Sequence, residues 1–369
     1  MHRLKRKIFS AWTIVIGVLF FCSWAYADLK VEVWVNGLEV PWSLLFLDDK
    51  RALVSERPGR IRLIREGKLL DTPYAVLDVE AIGEGGLMGL AKHPRFPHEP
   101  HLYAMYTYRE GERIGNRVVR LRDEGERGVV EGVIVDGIPG ARFHNGGRIA
   151  FGPDGMLYIT TGEIFQGELA QDLTSLGGKI LRVTPEGDIP SDNPFPGSPI
   201  YSLGHRNPQG LAWHPQTKEL FASEHGPSGE GFRRGHDEIN RIVKGGNYGW
   251  PRIVGRGNSS TYIDPVVLWT ETTPPAGMTF VRSPLFPNWE NDLLVATLRS
   301  QALVRIRLRK TPQGYQVVEI EELLKNRFGR LRDIVEGPDG ALYLLTSNRD
   351  GRGRPLPGDD TIYRLLPEE

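Results

Sequence analysis

His144-Asn145-Gly146-Gly147-Arg148-Ile149-Ala150-Phe151-Gly152-Pro153 is a polar cluster, a short apolar run and a Gly-Pro turn, and a strand-like stretch, Leu157–Thr161, follows it. The same order recurs at Gly83–Pro94, Arg206–Pro215 and Arg330–Pro338, followed by Leu102–Tyr106, Leu220–Ser223 and Leu342–Thr346. A unit that repeats in this way and carries only short strands marks a radial all-β array. In a propeller the first strand of each blade lines the central channel. Glu84, His144, Arg206, Asn207, Arg330 and Arg332 begin such strands, so the repeat predicts that they share one rim of one channel.

Working outward, the strand-like segments are short, rich in Val, Ile, Leu and Tyr, and bounded by Gly, Pro or Asp. No amphipathic helical stretch of convincing length competes with them. First strands are expected at Ser43–Leu47, Leu87–Lys92, Arg148–Phe151, Leu211–Trp213, Met278–Val281 and Asp333–Glu336, each opening a unit of about four strands. Six units predict a six-bladed β-propeller with a central-channel active site. Val31–Val35 is the natural extra strand to complete the last blade and hide its edge. Longer connections fall at 162–178, 185–200, 225–237, 245–268 and 347–360, and loops of that length in a compact fold carry function or disorder.

The 369-residue chain balances 46 Lys and Arg against 46 Asp and Glu, which argues against broad attraction to nucleic acid. Residues 1–27 read as an export signal: Arg3, Lys5, Arg6 and Lys7 precede the apolar run Ile14–Phe21, which ends at Ala25-Tyr26-Ala27. The mature chain is expected to start near Asp28, so that 28–369 form the propeller, periplasmic or secreted, with no stable membrane insertion. Cys22 is the sole cysteine, so the exported chain has neither disulfides nor thiolate ligands.

Among residues able to do chemistry, His144 stands beside small neighbours that allow a ligand close, and imidazole titrates where a general base is useful. A histidine satisfied by a channel-lining partner is the plainer alternative. His93 and His214 occupy the turn position that Gly152 and Gly337 fill elsewhere, which makes them structural, while His205 stays open. Arg330 and Arg332 flank Leu331 and point to the same side of a strand. With Arg206 they would concentrate forked guanidinium groups suited to a planar polyanion, or would pair with Asp333, Glu84 or other local carboxylates. The segments Glu224–Pro227, Asp237–Asn240 and Gly245–Pro251 mix carboxylates with Gly and Pro, as a hard cation would want, though ordinary turn formation accounts for the same residues. There is no P-loop, dinucleotide fingerprint, nucleophile elbow or Cys/His zinc set.

Several motifs in order carry a family resemblance: Glu56-Arg57-Pro58-Gly59-Arg60, His144-Asn145-Gly146-Gly147-Arg148, Gly204-His205-Arg206-Asn207-Pro208-Gln209-Gly210, Glu224-His225-Gly226-Pro227, Gly246-Asn247-Tyr248-Gly249-Trp250-Pro251 and Gly329-Arg330-Leu331-Arg332-Asp333. From Pro41-Trp42 to Leu365 the chain resembles the soluble quinoprotein sugar dehydrogenases of the glucose/sorbosone dehydrogenase family, especially the periplasmic aldose sugar dehydrogenase branch. That resemblance implies a six-bladed propeller holding pyrroloquinoline quinone (PQQ) and Ca2+ at the channel mouth, an aldose sugar as substrate and an external electron acceptor (a quinone, dye or cytochrome). It implies His144 as the base, Arg206, Asn207, Arg299, Arg330 and Arg332 as cofactor contacts, and Glu84 and Gln209 near the sugar. Glu238 and Tyr248, with the backbone of Gly226 and Pro227, match calcium-site positions. Glu84 replaces a usual Gln and Arg299 a usual Lys, and Phe143 lacks the acidic character of the glucose-specific branch. A calcium-dependent propeller lactonase and a non-catalytic sugar-binding propeller are the rival readings, since fold alone does not decide function.

Overall fold

The structure, a computed structural model, describes residues 29–228 and 235–368. Six antiparallel sheets follow one another along the chain. The first strands are Pro41–Phe46, Leu87–Lys92, Ile149–Phe151, Pro208–Trp213, Pro275–Phe280 and Leu331–Glu336. They pack around the ring in chain order, with the blade 3 to blade 4 contact made by Leu157–Thr160, and the sixth returns against the first. The six-bladed propeller is therefore present. Among the described residues the helices are two single 3-10 turns, Gly167–Ala170 and Pro287–Trp289.

Burial explains why the repeat reads as it does. Inner strands are covered by a neighbouring blade on both faces, so Leu102–Met105 and Leu342–Thr346 are buried at every position and read as continuous runs. The outer strand Gly314–Leu323 faces solvent on one side and alternates in burial residue by residue. Each of six apolar clusters lies between two adjacent blades, as with Leu53, Leu63, Leu87 and Leu121 between blades 1 and 2. The first strands converge on the axis and leave no room for side chains at certain positions: a Cβ on Gly89, Gly210 or Gly277 would collide with Gly147, Ala276 or Asp333.

Leu29–Val35 pairs antiparallel with Ile362–Pro367, placing Leu29 opposite Pro367 and Val33 opposite Tyr363. The expected closing strand is thus real and two residues longer at its start. The export signal at 1–27 lies outside the described residues.

One expectation needs correction. Glu84 and His144 do not begin first strands; they stand in the connections ahead of Leu87 and Ile149, and Arg206, Asn207 and Arg330 likewise precede their strands. The main chain there is bent away from strand geometry, with His144 at φ 58° and Gly146 at φ 68°, so the rim is built of turns.

Below the rim, Arg148 and Asp333 pair on the axis at 3.0 Å. The Arg148 guanidinium also donates to the Gln209 carbonyl (3.1 Å) and the Ser43 hydroxyl (3.3 Å), and Asp333 accepts from the Leu44 amide. Arg148 and Arg332 flank the Trp42 ring at 4.4 and 5.6 Å. Burial raises the Asp333 carboxyl above its usual value in spite of Arg148. Asp333→Ala, which strands the Arg148 charge, is expected to cost about 3–5 kcal/mol in urea unfolding, and Arg148→Met combined with Asp333→Leu much less. Equal losses in the two variants would contradict this account.

Candidate functional site

The turns ahead of blades 2, 3, 4 and 6 surround a stepped opening. The outer cleft encloses about 1030 Å³ and is bordered by Glu84, His144, Phe165, Arg206, Arg299 and Arg330. A deeper cavity of about 490 Å³ is lined by Trp42, Arg57, Gln209, His225, Arg332 and Asp350. Glu84, Arg330, Arg352, His225 and Leu298 border both. The rim residues that the repeat singled out are therefore brought together, with one exception. Asn207 is fully buried behind the wall, where its Oδ1 accepts from the Gly146 amide (3.0 Å) and the Gln209 side chain (3.2 Å).

His144 is the best-defined centre. Its Nδ1 lies 2.5 Å from the Glu163 carboxylate, and its Nε2 lies 3.0 Å from the Arg206 guanidinium. A guanidinium only donates, so Nε2 is the bare, accepting nitrogen and Nδ1 carries the proton toward Glu163. Phe165 covers the ring at 3.9 Å between centroids and is itself 55% exposed. Both Glu163 and Phe165 come from the loop after the second strand of blade 3. That loop is pinned by the buried Lys179 ammonium, which donates to the carbonyls of Leu169 (2.6 Å) and Gly177 (2.8 Å). Burial, only partly offset by the Asp172 charge, pushes Lys179 down to about 8.

The floor is rich in donors. Arg332 donates to the Gln209 Oε1 at 2.9 Å, and burial lowers its guanidinium to about 10. Burial likewise drives His225 down to about 3, so it is a neutral ring. Arg332 Nε and His225 Nε2 are buried in the cavity walls without a hydrogen-bond partner, and Asn207 Nδ2 is in the same condition behind them. Unsatisfied polar atoms of this kind, two of them donors whatever the tautomer of His225, signal a ligand partner. Gln209, expected near the substrate, lines the cavity with its amide engaged by Gly146, Asn207 and Arg332 at the floor. Arg330 is held by Asp350 at 2.8 Å, and exposed Arg299 borders the outer cleft.

Glu84 is fixed from two sides: Oε1 accepts from Arg352 (2.9 Å) and Oε2 from the His144 amide (3.2 Å). Its carboxyl is held below the usual range: burial opposes the charge, but His225, Arg352 and the His144 amide outweigh it.

A side pocket of about 290 Å³ gathers Gly226, Pro227, Glu238 and Tyr248, with Glu224 beside them. Glu224 and Glu238 face each other across adjacent strands and share the Asn240 side-chain amide at 3.2 and 3.0 Å. Burial, then the Glu224 charge, raise Glu238 well above its usual value. Such a pair favours a cation between or beside the oxygens. The Tyr248 hydroxyl is already committed to the Arg241 carbonyl (2.6 Å) and the Val243 amide (2.9 Å), so only its main-chain carbonyl is available to a metal. Among the described residues no group of three or more His, Cys, Asp or Glu is poised for a metal, so a cation here depends on main-chain oxygens.

Sequence reasoning missed Glu163, Asp350, Arg352 and the Trp42 stack. A usable signal existed for the first: Thr161-Gly162-Glu163 directly follows a second strand and Ser223-Glu224 ends one, both where the strand reaches the mouth.

The sequence model described as Glucose / Sorbosone dehydrogenase matches residues 38–363. The chain is 35% identical to the aldose sugar dehydrogenase YliI of Escherichia coli, over 89% of this chain and 92% of that protein. It resembles the crystal structure of a putative oxidoreductase (glucose dehydrogenase) from Thermus thermophilus at 58% identity and TM-score 0.85, covering 92% of this chain and 100% of that one. It also resembles the PQQ-bound aldose sugar dehydrogenase of Streptomyces coelicolor at 39% identity and TM-score 0.80, covering 93% and 99%.

The geometry at His144 is directly measurable. Nitrogen-15 NMR of the imidazole at neutral pH is expected to show a protonated Nδ1 and a bare Nε2. Glu163→Ala should mix the two tautomers, and an unchanged spectrum in that variant would remove Glu163 from its orienting role.

Proposed function

The chain belongs to the glucose/sorbosone dehydrogenase family, and on that premise we propose that it oxidises aldose sugars at the anomeric carbon to lactones, using PQQ with Ca2+ and an external electron acceptor. The observation that carries the reading is the His144–Glu163 pair, whose bare Nε2 borders a cleft floored by guanidinium groups.

The residues present fit the cofactor. The buried, unpartnered Arg332 Nε donor, with the polar Nε2 of His225 also in the wall, suits the carboxylates of a planar quinone, and Arg330 and Arg299 add charge at the entrance. When bound, the quinone supplies the two-electron acceptor for the hydride of C1. Glu238 and the main-chain carbonyls of Gly226, Pro227 and Tyr248 would hold Ca2+, which relieves the repulsion between Glu238 and Glu224.

The protein's own part is proton and charge management. His144 Nε2 takes the proton of the anomeric hydroxyl, for which Arg206 must first release its hydrogen bond to that nitrogen. Glu163 holds Nδ1–H and stabilises the imidazolium that forms. Phe165 lies over the ring and keeps water from it. Glu84 and Arg352 set the outer wall against which the sugar rests, in a region where a glutamine would offer both donor and acceptor. Residues 1–27 act, on this reading, as an export signal, and the enzyme works in the periplasm or as a secreted protein.

Protein freed of quinone and metal is expected to oxidise no aldose, and to gain activity with a dye acceptor only when PQQ and Ca2+ are both restored. Equal activity after exhaustive chelation and quinone removal would overturn the proposal.

Glu84→Gln should keep the fold and quinone affinity, with kcat within about twofold, while KM values across a panel of aldoses change order. Arg352→Ala should shift the same ranking in the same sense, because both remove one ion pair. An identical ranking in all three proteins would show that the pair is remote from the sugar.

A further inference from the structure

The loop Asn348-Arg349-Asp350-Gly351-Arg352-Gly353-Arg354-Pro355-Leu356, after the second strand of blade 6, sorts its charges by sign. Its carboxylates face inward: the Asp350 side chain is 4% exposed and paired with Arg330, while Asp359 and Asp360 are buried among amide and side-chain donors. Its guanidinium groups face outward: Arg349, Arg352 and Arg354 are exposed. The Arg349 guanidinium donates through Nε to the Asp359 carbonyl at 2.7 Å while its amide donates to the Asp360 carboxylate at 3.3 Å, and Arg354 has no hydrogen bond or ion pair among the described residues. Leu356, 60% exposed between Pro355 and Pro357, gives the same surface an apolar centre.

The neighbouring connection extends the patch. Exposed Arg327 lies over the Phe328 ring at 5.0 Å with no carboxylate partner, and Asn348 ties this connection to the loop through the Phe328 carbonyl (3.0 Å) and the Arg330 amide (2.8 Å). Arg352 also borders both cavities, so the patch is continuous with the mouth. Beneath the cavity the channel is filled by the buried Arg148–Asp333 pair and the Trp42 stack. Whatever collects electrons from the site must approach at the mouth.

We propose that this arginine face is the docking surface for an acidic electron-carrier protein, one whose carboxylates surround its exposed redox centre. The inference rests on the dehydrogenase reading. A loop that exposes an apolar side chain and three arginines while turning its own carboxylates inward has the composition of a protein contact, and the unbalanced charge selects an anionic partner and accelerates its encounter. Each aldose oxidised to lactone loses two electrons and two protons. Two molecules of oxidised carrier take one electron each, and the protons leave to solvent, one of them by way of His144.

The test uses the holoenzyme with an acidic soluble cytochrome c, a basic cytochrome c and a small phenazine dye as alternative acceptors. Arg327→Glu, Arg349→Glu and Arg354→Glu combined should raise KM for the acidic cytochrome about tenfold or more, abolish its dependence on salt and favour the basic one, while turnover with the dye stays the same. Arg354→Glu alone, at a side chain that holds nothing in place, should move KM in the same direction. Calorimetric titration of cofactor-free protein with the acidic cytochrome supplies a readout independent of turnover, and the affinity should fall in the same variants. Unchanged KM and unchanged affinity in the triple variant would overturn the docking surface. Absence of dye-linked sugar oxidation in the unaltered protein would instead overturn the dehydrogenase reading, leaving the titration to judge the surface.

Discussion

A propeller brings six first strands to one axis, where there is too little space for ordinary side chains and no water to solvate charge. Here the constraint is met with glycines at the tightest approaches and one ion pair, Arg148 with Asp333, in the remaining gap. That pair reaches the first strands of blades 1 and 6 directly and that of blade 4 through the Gln209 carbonyl. Its attraction is partly spent on desolvation, which is why Asp333 remains raised. Its contribution is registry: a carboxylate and a guanidinium with these partners fit in one arrangement of the blades.

The site above inherits that registry. Gln209 sits between the structural pair and the cavity, with its main chain bonded to Arg148 and its side chain to Arg332. Trp42 is shared in the same way by both arginines. The floor of the cavity is thus rigid because it is the roof of the axial plug. Donors held this firmly without acceptors are costly in the empty protein, and that cost is recovered when an anionic ligand binds.

The number of blades, the closing strand and most of the rim were legible because burial on two faces imposes a repeating apolar run, and each run starts at the same level of the ring. His144, Arg206, Arg330 and Arg332 were found through that register. Glu163, Asp350 and Arg352 were not, since they lie on loops whose lengths differ from blade to blade and carry no period. Glu84 and Arg352 stand 268 residues apart, and nothing local in either segment announces the other. Asn207 and Gln209 entered only through the family resemblance, and the structure shows what the sequence did not: their side chains also bond the Gly146 main chain and each other.

The seam between Leu29–Val35 and Ile362–Pro367 joins strands from opposite ends of the described chain. Until both are present, the first and last blades are held by their mutual apolar cluster, around Leu44, Val54 and Leu345, and by a few hydrogen bonds such as Leu44 to Asp333. Contacts of such long sequence separation form late, after the loop entropy of nearly the whole polypeptide has been overcome. The ring therefore behaves as a clasp: slow to fasten, and once fastened, slow to open, because no blade can peel away without first breaking this pairing.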